Sequence, residues 1–170
     1  MKGKKRTYIY LAGNISGDDR TYLWREEFTK LLYGSVENGH VVIVDPCANP
    51  FNQKIRNYSN SGNEFVKEAR KRSQRILRAK DYQLVKMCNL VVVNLHLVAS
   101  TKPMIGTVQE LAWANDIFYI PVIGITGKPD EWDDLSQVYI NHPWIDECCS
   151  AKVETVEEAA NTVKEFFLHY

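Results

Sequence analysis

Residues 89–95 (NLVVVNL) form a short, almost entirely apolar run, and this feature constrains the fold more than any other in the sequence. A strand with one face in water alternates apolar and polar residues. A run without that alternation predicts a central strand buried on both faces. Residues 119–125 (YIPVIGI) have the same character and predict a second buried strand. Strands of this kind are typical of a parallel sheet that helices cover on both sides.

The rest of the 170-residue chain supplies the other elements that such a sheet needs. The remaining predicted strands are residues 7–12, 41–44 and 150–153. The predicted helices are residues 20–33, 64–86, 107–114 and 155–167. This alternation predicts a single-domain α/β fold over residues 1–170. We expect a doubly wound, flavodoxin-like parallel sheet of five strands in the order 2-1-3-4-5.

The charge balance, 21 Lys and Arg against 21 Asp and Glu, argues against nucleic acid as a partner, since phosphate binding requires a surplus of basic residues. The basic run within residues 64–86 could still bind nucleic acid, but the neutral total favours a solvated helix face. No apolar stretch approaches the ~20 residues that span a bilayer. The basic start lacks a signal-peptide pattern, so we expect no membrane partner and a cytoplasmic protein.

Neither a metal nor an organic cofactor is predicted. The cysteines and histidines lack zinc-binding spacing, and reduced thiols are expected at Cys47, Cys88, Cys148 and Cys149. The dinucleotide motif G-x-G-x-x-G and the phosphate-binding motif G-x-x-x-x-G-K-[ST] are both absent from the sequence.

In a doubly wound sheet, a ligand binds beyond the carboxyl ends of the strands at the switch point, here strands 1 and 3. The loops that matter are therefore residues 13–20 and 96–110. The first loop contains Gly13, Asn14 and Ser16. Glycine lets backbone amide groups approach a small ligand closely, although a plain turn explains this pattern equally well.

Glu110, in the second of these loops, has two interpretations. Thr107-x-x-Glu110 is a capping-box pattern, as is Thr155-x-x-Glu158, and on pattern alone the structural role is favoured. Position favours a different role, because Glu110 opens the helix after a central strand, at the mouth of the expected crevice. There the helix N-terminus is expected to keep the carboxylate ionised and able to act as a nucleophile.

Asp81 and Tyr10 are further candidates near the same crevice. Asp81 lies late in the basic helix, either as an exposed residue beside Lys80 or as a second carboxyl group that faces Glu110. Two facing carboxyl groups allow one to attack while the other handles a proton. Tyr10, in the first strand, either directs its hydroxyl toward the crevice or fills the core.

Together with these residues, three segments carry a family resemblance: YIYLAGNISG, AKDYQLVKMCNLVVVNL and KPMIGTVQELAWANDIFYIPVIGI. They resemble the nucleoside 2-deoxyribosyltransferase family, which includes deoxynucleoside 5'-monophosphate N-glycosidases. They occur in the family's order and with similar spacing over roughly residues 7–126, and the G-T-x-x-E-x-x-x-A pattern is the most specific part. The resemblance implies a flavodoxin-like fold and a double-displacement reaction at the anomeric carbon, with no metal or organic cofactor.

The resemblance also implies a role for each candidate. Glu110 corresponds to the nucleophile that attacks C1' of a 2'-deoxynucleoside and releases the base. Asp81 corresponds to the acid that assists protonation of the base, and Tyr10 to the residue that positions the nucleophile. The loop that lines the sugar and base pocket contains Gly13, Asn14 and Ser16. An acceptor base, or water, then takes the deoxyribosyl group with retention of configuration.

The sequence departs from the family's pattern six residues before the nucleophile. Family members carry an Asp there that holds the sugar hydroxyl or, in the nucleotide-cleaving branch, a Ser. This chain has Met104, so another group, such as Ser100, Thr101 or Lys102, must recognise the 5' end of the substrate. The candidate substrate-binding residues of this loop are Lys102, Met104 and Gly106. Family members also complete the site from a neighbouring subunit, so a homo-oligomer is expected, with Asn141 as the contributing candidate.

Three functions remain open. The leading hypothesis is transfer of the 2-deoxyribosyl group between nucleobases through a covalent glycosyl-Glu110 intermediate, with a deoxynucleoside or deoxynucleotide and a free nucleobase as partners. The first alternative is hydrolysis of the N-glycosidic bond of 2'-deoxynucleoside 5'-monophosphates by the same covalent route. The second is a non-catalytic nucleotide-binding protein on the same fold, which Met104 would favour.

Overall fold

The computed structural model describes residues 6–15, 19–53, 64–96 and 104–168. Its centre is a five-stranded sheet in the order β2-β1-β3-β4-β5, in which every pair of neighbouring strands is parallel. The strands are β1 (Thr7–Gly13), β2 (Val41–Val44), β3 (Leu90–Asn94), β4 (Val122–Ile125) and β5 (Ala151–Val153). This order confirms the predicted flavodoxin-like α/β fold.

Helices connect the strands and cover the sheet. They are α1 (Arg20–Leu31), α2 (Tyr33–Glu37), α3 (Glu64–Lys86), α4 (Ile105–Ala112), α5 (Asp134–Ile140), α6 (Pro143–Cys148) and α7 (Val156–Phe167). A π-helical turn, Trp113–Ile117, continues α4, and a short 3-10 turn, Pro129–Glu131, precedes α5. The sequence did not predict α2, α5 and α6. Each has seven residues or fewer, too short for a helical period to be recognised.

The two faces of the sheet form two cores, as the absence of polar alternation in β3 predicts. Every residue of β3 is buried. Along β1, Tyr10 and Ala12 pack on one face with side chains from α3 and α4, including Val85 and Leu111. Residues on the opposite face pack against α1 and α7, and include Ile9, Leu11, Trp24, Phe28 and Val163. The sheet therefore orients Tyr10 toward the α3 and α4 side.

Only one of the two capping-box patterns in the sequence forms a capping box in the structure. At the start of α7, Thr155 Oγ1 accepts a 3.1 Å hydrogen bond from the Glu158 amide, and Glu158 Oε2 accepts one from the Thr155 amide at 3.1 Å. This capping box is confirmed. The Thr107-x-x-Glu110 pattern is not a capping box, because α4 begins at Ile105 and places Thr107 inside its first turn. Glu110 therefore has no capping role at the start of α4.

The described residues after β2 are held in place by several hydrogen bonds. The Pro46 carbonyl accepts hydrogen bonds from Asn49 Nδ2 at 2.6 Å, from Asn52 Nδ2 at 2.8 Å and from Lys80 Nζ at 3.1 Å. The Asp45 carboxylate accepts a 2.8 Å hydrogen bond from the Cys47 amide. The carboxyl end of β2 is therefore joined to α3, which carries Asp81.

Other sequence expectations can also be compared with the structure. The side chains of Lys71, Arg75 and Arg78 are exposed, as a solvated face of the basic helix predicts. All four cysteines are free thiols, as expected. Within the described ranges, no group of three His, Cys, Asp or Glu side chains could hold a metal ion. None of the helices described is both long enough and apolar enough to cross a membrane.

Candidate active site

The candidate site lies at the carboxyl ends of β1 and β3, where the strand order reverses. Its central contact is a hydrogen bond of 2.8 Å in which the Tyr10 hydroxyl donates to Glu110 Oε1. Tyr10 comes from β1, and its neighbour across the sheet is Val91 of β3. Glu110 comes from α4, the helix that follows β3 along the chain. The switch point thus unites two of the three predicted catalytic residues in direct contact.

Tyr10 is fully buried, and its environment keeps the hydroxyl protonated. Burial raises the pKa of the phenol far above its usual value, and the negative charges of Glu110 and Asp81 raise it further. The hydroxyl is therefore a permanent donor toward the Glu110 carboxyl at neutral pH. A buried tyrosine whose hydroxyl has a defined partner serves both the core and the site.

Glu110 is the sixth residue of α4, and its side chain is partly accessible to solvent. Burial raises the pKa of its carboxyl group to about 8. The Tyr10 hydrogen bond and the charges of Arg25 and Lys80 lower this pKa, while the Asp81 charge raises it. The helix N-terminus was expected to keep Glu110 ionised. Burial outweighs that effect, because Glu110 lies in the second turn and the helix dipole weakens beyond the first.

Asp81, the third predicted catalytic residue, lies on α3 beside the other two. Its charge acts on both Tyr10 and Glu110. Asp81 Oδ1 is buried, and Lys80 Nζ lies 3.1 Å from it, so this oxygen is ion-paired. Burial raises the pKa of Asp81, and Lys80 opposes the rise. Asp81 is therefore a second carboxyl group, paired with Lys80, near Tyr10 and Glu110.

Gly13 and Asn14 follow Tyr10 and end β1 at the same edge. Gly13 has φ +152°, and a Cβ added there would lie 3.3 Å from Trp24 Cζ2, so both backbone and packing require glycine. The Asn14 amide nitrogen Nδ2 is buried without a hydrogen-bond partner among the residues described. Ser16, the third predicted residue of this loop, lies outside the described residues.

The second loop is described only from Met104 onward. Met104 is buried, with 3% of its surface exposed, and its amide donates a 2.8 Å hydrogen bond to the Tyr139 hydroxyl. Gly106 is exposed, and among the described residues an added Cβ there would meet nothing within 4 Å. The remaining candidates of this loop, Ser100, Thr101 and Lys102, lie outside the described residues. Asn141 ends α5 and is exposed.

Arg25 was not predicted as a site residue; it lies on α1 and is the largest fully buried side chain described. Asp45, whose Oδ1 lies 3.4 Å from Arg25 Nε, was not predicted as one either. The signal for Asp45 was its position directly after the second strand, at the carboxyl edge where ligands bind. The helical pattern alone does not identify Arg25, because a single Arg beside apolar positions resembles an ordinary surface residue.

The arrangement can support chemistry that needs one ionised and one protonated carboxyl group. Glu110 is partly accessible, is oriented by Tyr10, and lies close enough to Asp81 for the two charges to interact. The Asp81 charge raises the pKa of Glu110, so an ionised Asp81 disfavours ionisation of Glu110. Such a pair can combine nucleophilic attack with proton donation.

The sequence matches no protein-family model and no curated protein at a significant level. Among solved structures, the fold is similar to that of a conserved protein from Enterococcus faecalis V583. The TM-score is 0.57 at 15% sequence identity, and the similarity covers 95% of this chain and 99% of that chain. At this identity the similarity concerns the fold alone, and it agrees with the α/β architecture described above.

Proposed function

We propose that this protein transfers the 2-deoxyribosyl group of a 2'-deoxynucleoside to another nucleobase, with Glu110 as the nucleophile. The observation that carries the proposal is the Tyr10–Glu110 hydrogen bond, with Asp81 beside it, at the switch point of the sheet. The same three residues are those that the family resemblance implied from sequence. A protein that only binds a nucleotide has no need for two interacting carboxyl groups.

In the first step, a carboxylate oxygen of Glu110 forms a bond to C1' of the substrate. The bond between C1' and the base nitrogen breaks, and its electron pair stays with the base. Asp81 donates its proton to the base, which leaves as the neutral molecule. The product is a deoxyribosyl ester of Glu110, with inverted configuration at C1'.

In the second step, a nitrogen of the acceptor base attacks C1', and the ester bond returns its electron pair to Glu110. Asp81 takes the proton that the acceptor nitrogen loses. Two inversions give overall retention, and water in place of the base gives hydrolysis. The Tyr10 hydroxyl donates to the carboxylate before attack and can donate to the ester oxygen afterwards, so it holds Glu110 in place throughout.

Asn14 supports a nucleobase as the ligand. Its Nδ2 is a buried donor that makes no hydrogen bond within the described residues. A buried polar group without a partner costs about 1–3 kcal/mol, so a ligand that accepts this hydrogen bond gains affinity. Nucleobases carry hydrogen-bond acceptors on their edges, which suits this donor.

We also propose that the protein acts as a homo-oligomer. A groove of about 640 Å³ is lined by Val108 of α4 and by Val138, Tyr139 and Trp144 of α5 and α6. Trp144 is 77% exposed and Val138 59% exposed. Clustered, exposed apolar residues of this kind mark interfaces, and a second copy seated here would place its residues next to the nucleophile's helix. Trp144→Glu should then lower the mass measured by light scattering to that of one chain.

The four free thiols fit a reducing compartment, so we place the protein in the cytoplasm.

The decisive experiment incubates the protein with a panel of 2'-deoxynucleosides and free bases and separates the products by chromatography. New nucleosides are expected only where a donor and an acceptor base are both present. If no nucleoside loses its base under any combination, the proposed function is wrong.

Hydrolysis of deoxynucleoside 5'-monophosphates is the second candidate function. Met104 favours it, because an uncharged side chain at this position does not repel a 5'-phosphate as an Asp would. The kcat/KM values for a deoxynucleoside and its 5'-monophosphate at low salt distinguish the two. A preference of more than ~10-fold for the monophosphate, about 1.4 kcal/mol of transition-state binding, would make hydrolysis of nucleotides the leading function.

A further inference from the structure

Arg25 makes an unusual set of contacts for a helical arginine, because its whole side chain is inside the protein. Only 2% of the side chain is exposed. Nη2 donates a 3.1 Å hydrogen bond to the Gly13 carbonyl, at the end of β1. Nη1 donates to the Thr21 carbonyl one turn earlier in α1. The guanidinium also lies 4.7 Å from the centre of the Trp24 ring.

Arg25 also pairs with the end of the neighbouring strand. Its Nε lies 3.4 Å from Asp45 Oδ1, directly after β2. Asp45 is in turn held by the Cys47 amide, which donates to the same oxygen at 2.8 Å. One side chain therefore joins the carboxyl ends of β1 and β2, the edge at which Tyr10 and Glu110 meet.

Burying this cation is costly for the fold alone. An ion loses several kcal/mol of solvation when it leaves water, and a well-packed apolar side chain is often equally stabilising at such a place. A methionine on α1 could fill the same space between Trp24 and β1 without that cost. The buried charge therefore points to a role at the adjacent site, where the Glu110 carboxyl group lies.

Charged and titratable side chains from several elements act on Glu110. The titratable and charged groups described there are Tyr10 on β1, Arg25 on α1, Cys47 after β2, and Lys80 and Asp81 on α3. Arg25 and Lys80 are the cations of this set, and both lower the pKa of Glu110. The side chain of Lys80 is 33% exposed and pairs with Asp81. Arg25 is buried and pairs with Asp45.

We propose that Arg25 is a positioning residue, which fixes the end of β1 against the segment after β2 and holds a positive charge at the edge of the sheet where Tyr10 and Glu110 meet. This inference rests on the proposed function. Double displacement requires Glu110 to be ionised while Asp81 keeps a proton, whereas burial raises the pKa of Glu110 to about 8 and favours the opposite distribution. The Arg25 cation lowers the pKa of Glu110 and so opposes that distribution.

The test uses variants that separate the charge of Arg25 from its contacts. Arg25→Met removes both, and Arg25→Lys keeps the charge but cannot make the forked contacts to Gly13 and Thr21. Asp45→Asn removes the negative partner and leaves Arg25 in place. Lys152→Met is the matched control, because it removes a cation that is also ion-paired, to Asp146, but on the edge strand β5.

Two readouts are measured for each variant. The first is the titration of the Glu110 carboxyl followed by carbon NMR, with the resonance assigned by Glu110→Gln. The second is the pH profile of kcat/KM for base release. Arg25→Met should raise the Glu110 pKa by at least about half a unit, and Asp45→Asn should lower it. Arg25→Lys should leave the titration near that of the wild type and raise KM, and Lys152→Met should change neither.

A folded Arg25→Met with an unchanged Glu110 titration would overturn the proposal. If Arg25→Met does not fold, Asp45→Asn decides: a lower Glu110 pKa supports the proposal, and an unchanged or higher one refutes it. An inactive wild type would instead refute the proposed function. In that case the NMR titration alone still shows whether Arg25 acts on Glu110.

Discussion

Tyr10 and Glu110 lie 100 positions apart in the sequence, and the tyrosine hydroxyl donates a 2.8 Å hydrogen bond to Oε1 of the glutamate. Parallel pairing of β1 with β3 brings them together, because α4 follows β3 and returns over the carboxyl edge of the sheet. Burial raises the pKa of both groups, so the hydroxyl stays protonated and keeps donating. The bond therefore fixes the orientation of the carboxyl group for any reaction at this edge.

Replacing Glu110 by glutamine should abolish base release while leaving the fold intact. The amide has the same shape and can still accept the Tyr10 hydrogen bond, but it cannot form a glycosyl ester. We expect kcat/KM to fall by at least about a thousandfold, as for other nucleophiles. Mass spectrometry of the wild type with a slow 2'-fluoro substrate should find a sugar adduct on the peptide that contains Glu110.

The matched control for this change is Glu157→Gln, which alters an exposed carboxyl group in the first turn of α7. Its activity should equal that of the wild type. Near-normal turnover by Glu110→Gln, or an adduct on another residue, would return Glu110 to a purely structural role.

Replacing Tyr10 by phenylalanine should slow the reaction and shift its pH dependence. The ring keeps its place in the core, while the carboxyl group loses a charge-assisted hydrogen bond worth about 1.5–3 kcal/mol. Because that bond lowers the pKa of Glu110, its loss should raise the pKa and move the acid limb of kcat/KM to higher pH. Tyr8→Phe, on the same strand, is the control, and equal effects of the two changes would contradict a specific role for Tyr10.

Stability should fall as the pH rises toward and past 8, because of Glu110. The carboxyl pKa is 4.5 without the fold and about 8 within it, so the folded state holds a proton between these values that the unfolded chain has released. In that window the unfolded state binds fewer protons, and the free energy of unfolding decreases with rising pH. Urea unfolding at pH 6 and pH 9 should show a smaller loss in Glu110→Gln than in the wild type. Equal losses would mean that Glu110 titrates normally.

Replacing Asp81 by asparagine should affect substrates according to their leaving groups. If Asp81 supplies the proton to the departing base, natural nucleosides should slow strongly, whereas a substrate with an activated leaving group should react nearly as before. Parallel measurement of both substrates gives the answer. An equal loss on the two would show that Asp81 holds the structure or the sugar and does not donate a proton.

The fold was predictable because two separate apolar runs in the sequence each indicate a strand buried on both faces. The buried runs that became β3 and β4 admit few architectures, and their order along the chain with intervening helices leaves the doubly wound sheet. Boundaries were less predictable: α4 begins two residues before Thr107, because the backbone at Met104 starts the helix without a side-chain cap. Short helices such as α6 have too few residues for a readable period.

The candidate site was only partly predictable. Tyr10, Asp81 and Glu110 lie on elements that the topology brings to one edge, so their proximity follows from the fold. Arg25 could not be found in the same way. Its burial depends on the Gly13 carbonyl and on Asp45, two partners from different strands, and no local pattern in α1 encodes such a meeting.

Gly13 and Gly106 provide a paired prediction, since alanine should have opposite consequences at the two positions. At Gly13, φ of +152° is strained for alanine and the Trp24 ring lies 3.3 Å from an added Cβ, so Gly13→Ala should cost about 1–3 kcal/mol. At Gly106 no atom of the described residues lies within 4 Å of an added Cβ, and alanine is the better helix former by up to about 1 kcal/mol. Thermal unfolding should therefore show a lower Tm for Gly13→Ala, by about 2–4 °C per kcal/mol, and an equal or higher Tm for Gly106→Ala.

Activity distinguishes the role of Gly106 from its effect on folding. If the substrate binds against Gly106, the added methyl group should raise KM in a protein that is as stable as the wild type. Gly34→Ala, on α2, is the control, because an added Cβ there also meets nothing within 4 Å among the described residues. A stable Gly106→Ala variant with an unchanged KM would place the substrate away from Gly106, and the sugar would then have to bind on the Gly13 side of the crevice.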